Sequence, residues 1–245
     1  MRERNLVFDR NKHLMFSGKV KKVMQKELLS EYTPKEAQMI WEKLEDCYET
    51  FLKDLPYIGG KKNMQAGSVY DCIALFAYYE VLEEKPSVKK MEELCCALFV
   101  PKRQSPAKMT WPFAPRLAHM IFSRIAKNGK KHEREWPGNY HMEVKPYEKG
   151  KGTRYIFSTC PIADFAKAHG YEHLMPAMCN PDYPTLAKIH ASLIRRSTCG
   201  NGSCCDFWVL PENSPYLNEY LLLKSPEGFL YNRPKNAGRD EQFSG

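Results

Sequence analysis

Three segments of the sequence, CPIADFAKAHG (residues 160–170), CNPDYP (179–184) and GNGSCCDF (200–207), carry the chemistry around which we expect the chain to fold. Glycine, proline and asparagine divide this stretch into short elements and turns. The stretch that the segments span, residues 160–207, holds five of the nine cysteines and two well-placed carboxylates: Cys160, Cys179, Cys199, Cys204, Cys205, Asp182 and Asp206. A tract this rich in reactive groups is a poor core filler, so we interpret it as an active or ligand-binding site.

The chain before residue 138 is predicted to be helical. Thr33, Pro34 and Glu36 form the start signal of a capping box, and apolar residues then recur every three or four positions. The helix at 65–82 is apolar nearly all round, which is typical of a buried helix. The predicted helices cover residues 13–32, 33–55, 65–82, 86–100 and 113–127, with Gly129 closing the last one.

After residue 138 the pattern changes to short strands, turns and one short helix. Residues 139–147 and 153–158 predict an antiparallel hairpin, and Gly170 closes a helix at 161–169. The later predicted elements are a strand at 189–198, a turn at Asn201-Gly202 and a returning strand from Cys204. A polar tail from Ser225 is expected either to lie over the surface or to be partly mobile.

These elements predict the α+β class. A helical N-terminal lobe (residues 1–137) packs on a C-terminal antiparallel sheet with short helices (138–245), and the second lobe carries the cysteine-rich site. We expect the two lobes to form one compact unit, because 245 residues fit one large domain or two intimate lobes.

The charge balance indicates the kind of partner. There are 37 basic and 29 acidic residues, giving a net charge of +8, which favours anionic partners such as a small carboxylate. No zinc-finger spacing or RNA-recognition signature is present, so we expect no nucleic-acid partner. The sequence leaves the oligomeric state open.

We expect a cytoplasmic protein without a membrane partner. The N-terminus is charged and lacks the apolar run of a signal peptide, and the longest apolar runs, 73–79 and 94–100, are too short to cross a bilayer. An odd number of cysteines, nine, indicates reduced thiols and no disulfide framework.

The cysteines at turns and element ends are the best candidates for chemistry. Cys160 immediately precedes a predicted helix, whose dipole should lower the thiol pKa. Cys204 and Cys205 point to opposite faces of a strand, so only one can enter the pocket, and the neighbouring Asp206 favours Cys205. Filling a core is a serious alternative for Cys199 and Cys204.

Two chemistries are open to such a set. One uses a thiolate nucleophile, with Asp182 as proton acceptor or orienter. The other uses a soft metal such as zinc to activate a water. No Cys-x-x-Cys pair and no well-spaced histidine supports zinc, so we expect no cofactor and keep zinc as the alternative.

Ligand contacts are predicted from the polar residues around these thiols. Arg195 and Arg196 are adjacent on a predicted strand, so one faces in; we favour Arg196 for gripping a ligand carboxylate, with Thr198 on the same face. Asn63 either caps the next helix or faces a ligand. The catalytic candidates are Cys160, Cys179, Asp182, Cys205 and Asp206; the substrate-binding candidates are Asn63, Arg196, Thr198 and Gly202; no metal ligand is assigned.

The order of these motifs resembles one family. C-P (160–161), C-x-x-D (179–182), R-x-T (196–198) and G-x-x-C-D-F (202–207) are similar to the L-2-amino-thiazoline-4-carboxylic acid hydrolase family, as is P-x-I-G-G-x-x-N (56–63) followed by an apolar helix with AYYE. The likeness is densest over 155–210 and thinner over 35–130.

The resemblance implies a cytoplasmic bacterial hydrolase that opens a small cyclic amidine such as L-2-amino-thiazoline-4-carboxylate. Cleavage of a C–N or C–S bond would give a carbamoyl derivative of cysteine. A cysteine thiolate, or a water activated by Asp182, would attack the ring carbon. Thr198 and backbone amides would hold the tetrahedral intermediate, and an arginine would hold the carboxylate. Because this chain reads Cys-Cys-Asp-Phe, which thiol acts stays open.

The sequence also supports an alternative function. The C-terminal layout is also similar to small-molecule-binding domains of the four-vinyl-reductase type. The alternative is therefore a non-catalytic accessory protein that binds a small molecule or metal in the same pocket.

Overall fold

A computed structural model describes residues 17–106 and 114–236. The predictions for the first sixteen residues and for the end of the tail lie outside the described residues. The first helices are α1 (Gly18–Glu31), α2 (Pro34–Asp54), α3 (Ala66–Val81), α4 (Val88–Phe99) and α5 (Ala114–Lys131). They are followed by β1 (His141–Val144), β2 (Thr153–Thr159), α6 (Pro161–His169), α7 (Met175–Cys179), α8 (Asp182–Ala187), β3 (Ala191–Ile194), β4 (Cys205–Pro211), β5 (Tyr220–Lys224) and β6 (Leu230–Pro234).

The strands form two antiparallel sheets. The larger has the order β1-β2-β4-β3, and β5 pairs with β6 in a separate two-stranded sheet. The predicted hairpin is therefore confirmed as β1–β2, although β1 is only four residues long. Helices and antiparallel sheets in one chain confirm the predicted α+β class.

Local signals fix the helices where the sequence indicated. Both halves of the capping box are formed: Thr33 accepts from the Glu36 amide, and Glu36 accepts from the Thr33 amide at 2.9 Å. Helix α3 is buried almost all round, with Ile73 and Phe76 at 0% exposure, as its apolar sequence predicts. The chain enters α6 through Pro161 and leaves it at Gly170, whose φ is +76°.

Aromatic contacts join the helices to the segment that carries the cysteines. The ring of Phe76 in α3 stacks on Phe165 of α6 and on Tyr171, with centroids 5.9 and 5.3 Å apart. On the other side, Phe122 of α5 stacks on Tyr155 of β2 at 4.1 Å. The segment after β2 is therefore held between the helices and the sheet.

Three predicted boundaries are wrong. Helix α5 does not stop at Gly129 but continues to Lys131, and Gly129 lies against Asn139, where an added Cβ would be 3.1 Å from the amide nitrogen. The strand predicted at 189–198 is only β3, so its link to β4 is a loop over 195–204 and not a two-residue turn. The surface tail predicted from Ser225 includes β6, because pairing with β5 outweighs its polar, proline-containing sequence.

None of the helices in the described ranges combines the length and apolarity needed to cross a membrane.

We predict that Gly59→Ala destabilises the protein far more than Gly150→Ala does. Both glycines have positive φ, +98° and +82°, but a Cβ at Gly59 would lie 2.6 Å from the Trp136 ring, whereas nothing lies within 4 Å at Gly150. We expect the free energy of unfolding to fall by about 3 kcal/mol for the first and about 1 kcal/mol for the second, measured by urea unfolding. Equal losses would show that the ring does not enforce this turn.

Candidate active site

Four of the cysteines marked by the sequence converge from four different parts of the chain. Cys160 precedes α6, Cys179 ends α7, Cys199 lies in the loop after β3, and Cys205 begins β4. Their charges act on one another: a thiolate at Cys205 is disfavoured by the nearby Cys179, Cys199 and Cys160. We call these four residues the thiol cluster. All nine cysteines of the chain are free.

Cys204 lies away from the thiol cluster. Its backbone carbonyl accepts from the Ser197 hydroxyl at 2.9 Å, and its sulfur lies 4.0 Å from the oxygen of that hydroxyl. Cys204 is the last residue of the loop, held there by Ser197, whereas Cys205 is the first residue of β4.

Cys160 sits at the N-terminus of α6, but its thiol is not activated. The backbone amides of Ile162 and Ala163 donate to its sulfur, as the helix-end argument requires. Burial nevertheless raises the pKa of Cys160 far above its usual value. The prediction of a lowered pKa is therefore wrong, because desolvation of the thiolate outweighs two amide hydrogen bonds.

Cys199 and Cys205 form a hydrogen-bonded pair. The Cys199 amide donates to the Cys205 sulfur at 3.1 Å. The hydrogen bond donated by the Cys205 thiol to the Cys199 sulfur, helped by backbone amides, lowers the pKa of Cys199. The same hydrogen bond, together with burial, raises the pKa of Cys205. Among the four thiols, the half-buried Cys199 is thus the one most easily ionised.

Sequence reasoning did not select Cys199, and core filling was a serious alternative for it. The neutral Cys199 thiol contacts the Phe157 carbonyl at 3.4 Å, and the residue packs against both apolar cores. What distinguishes it is the loop over 195–204, which brings it back beside Cys205. The strand predicted over 189–198 left only a short turn before β4, so nothing in the sequence indicated that Cys199 folds back beside Cys205.

A buried ion pair lies next to Cys179. Arg195 is 1% exposed, and its Nη1 donates to Asp182 Oδ2 at 2.7 Å and to the Cys179 carbonyl at 3.2 Å. The rings of Tyr183 and Phe207 flank the guanidinium, 5.1 and 5.4 Å from its central carbon. Burial raises the pKa of Cys179 to about 12, while the Arg195 charge opposes that shift.

The Asp182 side chain is partly exposed to solvent, yet its pKa is affected by burial. It is 43% exposed by surface area. Yet burial raises its pKa against the opposing charge of Arg195, because protein surrounds the carboxyl on most sides. The pKa of Asp182 is therefore raised above the usual value of a carboxyl although part of the side chain reaches solvent.

The predicted inward orientation of Arg196 is wrong. Arg196 is 72% exposed, and its Nε donates to Asp206 at 3.1 Å. The Asp206 carboxylate also accepts from the Arg196 and Ser197 amides at 2.9 and 2.8 Å. Because β3 ends at Ile194, the two-residue period does not extend to the arginines. Arg195 is the inward one, and Asp206 holds the loop on the opposite side of β4 from Cys205.

The remaining substrate-binding candidates, Thr198 and Asn63, are both held by hydrogen bonds within the protein. Thr198 is 1% exposed beside Cys179; its hydroxyl donates to Asn201 at 2.9 Å and accepts from the Gly200 amide at 3.1 Å. The side-chain nitrogen of Asn63 donates to the Ile58 carbonyl at 2.6 Å and to the Asn139 side-chain oxygen at 2.7 Å. Its side-chain oxygen accepts from the Gln65 backbone amide at 3.0 Å. These contacts use both Asn63 donors, so Asn63 holds the loop before α3, whereas the N-cap of α3 is Gln65, without a side-chain cap.

An open pocket of about 360 Å³ leads to the thiol cluster. Cys160 and Cys199 both line it, and so does Gly202, whereas Cys179 and Asp182 do not. The rest of its lining consists of the end of β2, one face of α6, the start of α7 and the loop: Ser158, Thr159, Ala163, Asp164, Lys167, Glu172, Met175, Gly200 and Ser203.

No group of three or more His, Cys, Asp and Glu side chains within 17–106 and 114–236 is arranged to hold a metal ion.

Fold and site together define an α+β protein with a small pocket that opens onto clustered thiols, an arrangement suited to nucleophilic chemistry. A family model described as L-2-amino-thiazoline-4-carboxylic acid hydrolase matches residues 68–209, more than half of the chain. The chain therefore belongs to this family, as its motifs had indicated. The matched range contains the whole thiol cluster and the Asp182–Arg195 pair. No curated protein and no solved structure matches the chain.

We predict that Asp182→Asn and Arg196→Gln have very different effects on stability. The first leaves the Arg195 charge buried without a counter-ion. It should lower the free energy of unfolding by about 2 kcal/mol, below the roughly 3–5 kcal/mol of a fully buried pair because Asp182 is partly exposed. The second breaks an exposed pair and should cost under about 1 kcal/mol. Urea unfolding of both variants measures the difference, and a larger loss for Arg196→Gln would contradict the assignment of the buried arginine.

Proposed function

We propose that the protein is a hydrolase that opens a small cyclic amidine, such as L-2-amino-thiazoline-4-carboxylate, at its thiol cluster. The observation that carries the proposal is that one range, residues 68–209, both matches the family and contains the two thiols that line the pocket. The family description names a hydrolase; the substrate, the bond cleaved and the residues below are our proposal.

Cys199 is the proposed nucleophile. It lines the pocket, and the hydrogen bond from Cys205 lowers its pKa. Its thiolate attacks the ring carbon that carries the exocyclic nitrogen, forming a C–S bond to the enzyme. One ring heteroatom then leaves with a proton. Water attacks the same carbon, the Cys199 thiolate leaves, and the substrate has gained one water in total.

The other residues of the site have supporting roles. Asp182, held by Arg195, is the proposed proton acceptor and donor, since it lies in the same segment as the thiols and burial raises its pKa. The loop at Gly200 and Gly202 borders the place where the tetrahedral intermediate would form, and the Gly202 amide is its proposed donor, because the Gly200 amide already donates to Thr198. Cys160 and Cys179 shape a dry environment around it, with pKa values raised by burial. Free thiols of this kind suit a reducing compartment such as the cytoplasm.

We expect turnover of 2-amino-thiazoline-4-carboxylate to a product one water heavier, detected by mass spectrometry. A product with a new free thiol would indicate C–S cleavage, and one with a new primary amine would indicate C–N cleavage. Cys199→Ala should reduce kcat by at least about 10³-fold, as loss of a covalent nucleophile does. Cys204→Ala, a change of the same size outside the cluster, should keep wild-type activity. Full activity in Cys199→Ala would remove Cys199 from the mechanism.

We predict a pH profile set by the thiol pair. A thiolate nucleophile loses activity as the pH falls through its pKa, so kcat/KM should rise with pH. Because the pKa of Cys199 is lowered, kcat/KM should reach its plateau below a pH of about 8.5, the pKa typical of a free thiol. Cys205→Ala removes the hydrogen bond that stabilises the Cys199 thiolate, so the rising limb should move to higher pH. Cys204→Ala should leave the limb in place, and an unchanged limb in Cys205→Ala would contradict the pairing.

A further inference from the structure

The pocket that opens onto Cys160 and Cys199 carries both signs of charge. Asp164 and Lys167 lie three residues apart on α6, and Glu172 follows in the short 3-10 turn after that helix. All three side chains are exposed. The ion pairs of the described ranges include none of the three; the charge of Lys167 acts on Asp164 and opposes the rise in its pKa, and both side chains remain open to a ligand.

Helical geometry places two of these charges side by side at the pocket. Asp164 and Lys167 are three residues apart, so they share one face of α6, and Cys160, which precedes that helix, lines the same pocket. The electrostatic effect of Asp164 reaches across the pocket, since its negative charge tends to raise the pKa of Cys199. Residues three apart on a helix, such as Asp164 and Lys167, have Cβ atoms about 5–6 Å apart. This distance is comparable to the width of a small ring with a substituent on each side.

We infer that Asp164 and Lys167 recognise the two charges of a zwitterionic ligand, Asp164 receiving its cationic amidine and Lys167 its carboxylate. This inference rests on the proposed function, because 2-amino-thiazoline-4-carboxylate bears these two groups on opposite sides of one five-membered ring. With a volume of about 360 Å³, the pocket is at the small end of the roughly 300–1,000 Å³ common for ligand sites, which suits a ligand of amino-acid size.

The local charges favour a zwitterion over the simple anion expected from the net charge of +8. Two carboxylates, Asp164 and Glu172, and one ammonium line the pocket. A ligand with only a negative charge would meet a net negative surface there. A ligand that also carries a cation can pair with a carboxylate while Lys167 binds its acid group.

The experiment compares two substrates across two variants. One substrate is 2-amino-thiazoline-4-carboxylate, and the other is 2-aminothiazoline, which keeps the amidine and lacks the carboxylate. Lys167→Met should raise KM about tenfold for the first and leave it unchanged for the second, with a smaller effect on kcat. Asp164→Asn should raise KM about tenfold for both, because both carry the amidine.

Lys130→Met is the matched control. It removes the same charge from the exposed end of α5, outside the pocket, and should leave KM for both substrates unchanged. Thermal melting of each variant establishes that it is folded, and substitutions at the exposed Asp164 and Lys167 should keep the wild-type melting temperature.

The outcomes separate this inference from the proposed function. If the wild type turns over the acid but Lys167→Met alters KM for both substrates equally, or for neither, the inference is wrong while the hydrolase stands. If the wild type shows no turnover, calorimetric titration of the two compounds decides: a loss of affinity in Lys167→Met for the acid alone supports the recognition pair without the reaction. Absence of binding by the wild type would overturn both.

Discussion

A guanidinium with 1% exposure has to find its counter-charge and its hydrogen bonds inside the protein, and the site is built around that requirement. Arg195 contacts the Asp182 carboxylate and the Cys179 carbonyl, while its backbone amide donates to Asn232 at 2.9 Å. The Asn232 amide returns a hydrogen bond to the Arg195 carbonyl, and its side chain accepts from the Tyr183 hydroxyl at 2.8 Å. One buried arginine thereby fixes α7, α8, the end of β3 and strand β6 relative to one another.

The same burial decides which thiol can react. Desolvation penalises a thiolate more than a few amide hydrogen bonds favour it, so Cys160 at a helix N-terminus and Cys179 beside an arginine both keep raised pKa values. Cys199 differs because it is half exposed and receives a hydrogen bond from another thiol. Activation therefore depends less on the nearest positive dipole than on partial access to water combined with one direct donor.

The sequence predicted those features whose causes are local. The Thr33 capping box, the apolar helix α3 and the Gly170 helix stop need only neighbouring residues, and all three are present. The inward arginine could not be found this way, because it depends on where β3 stops pairing with β4, a tertiary property. Cys199 was missed for the same reason. Asp164 and Lys167 could have been found, since the helix predicted after Cys160 places them on its own face.

Under the proposed function, ligand charge and thiol reactivity would be coupled through Asp164. Its carboxylate disfavours a negative charge on Cys199. A cationic amidine bound at Asp164 cancels that repulsion and brings a positive charge close to the sulfur, and both effects favour the thiolate. A neutral ring would give neither. The proposed recognition by Asp164 would therefore link activation of Cys199 to binding of the charged form of the ligand, and without that ligand the thiol would stay nearer to its protonated state.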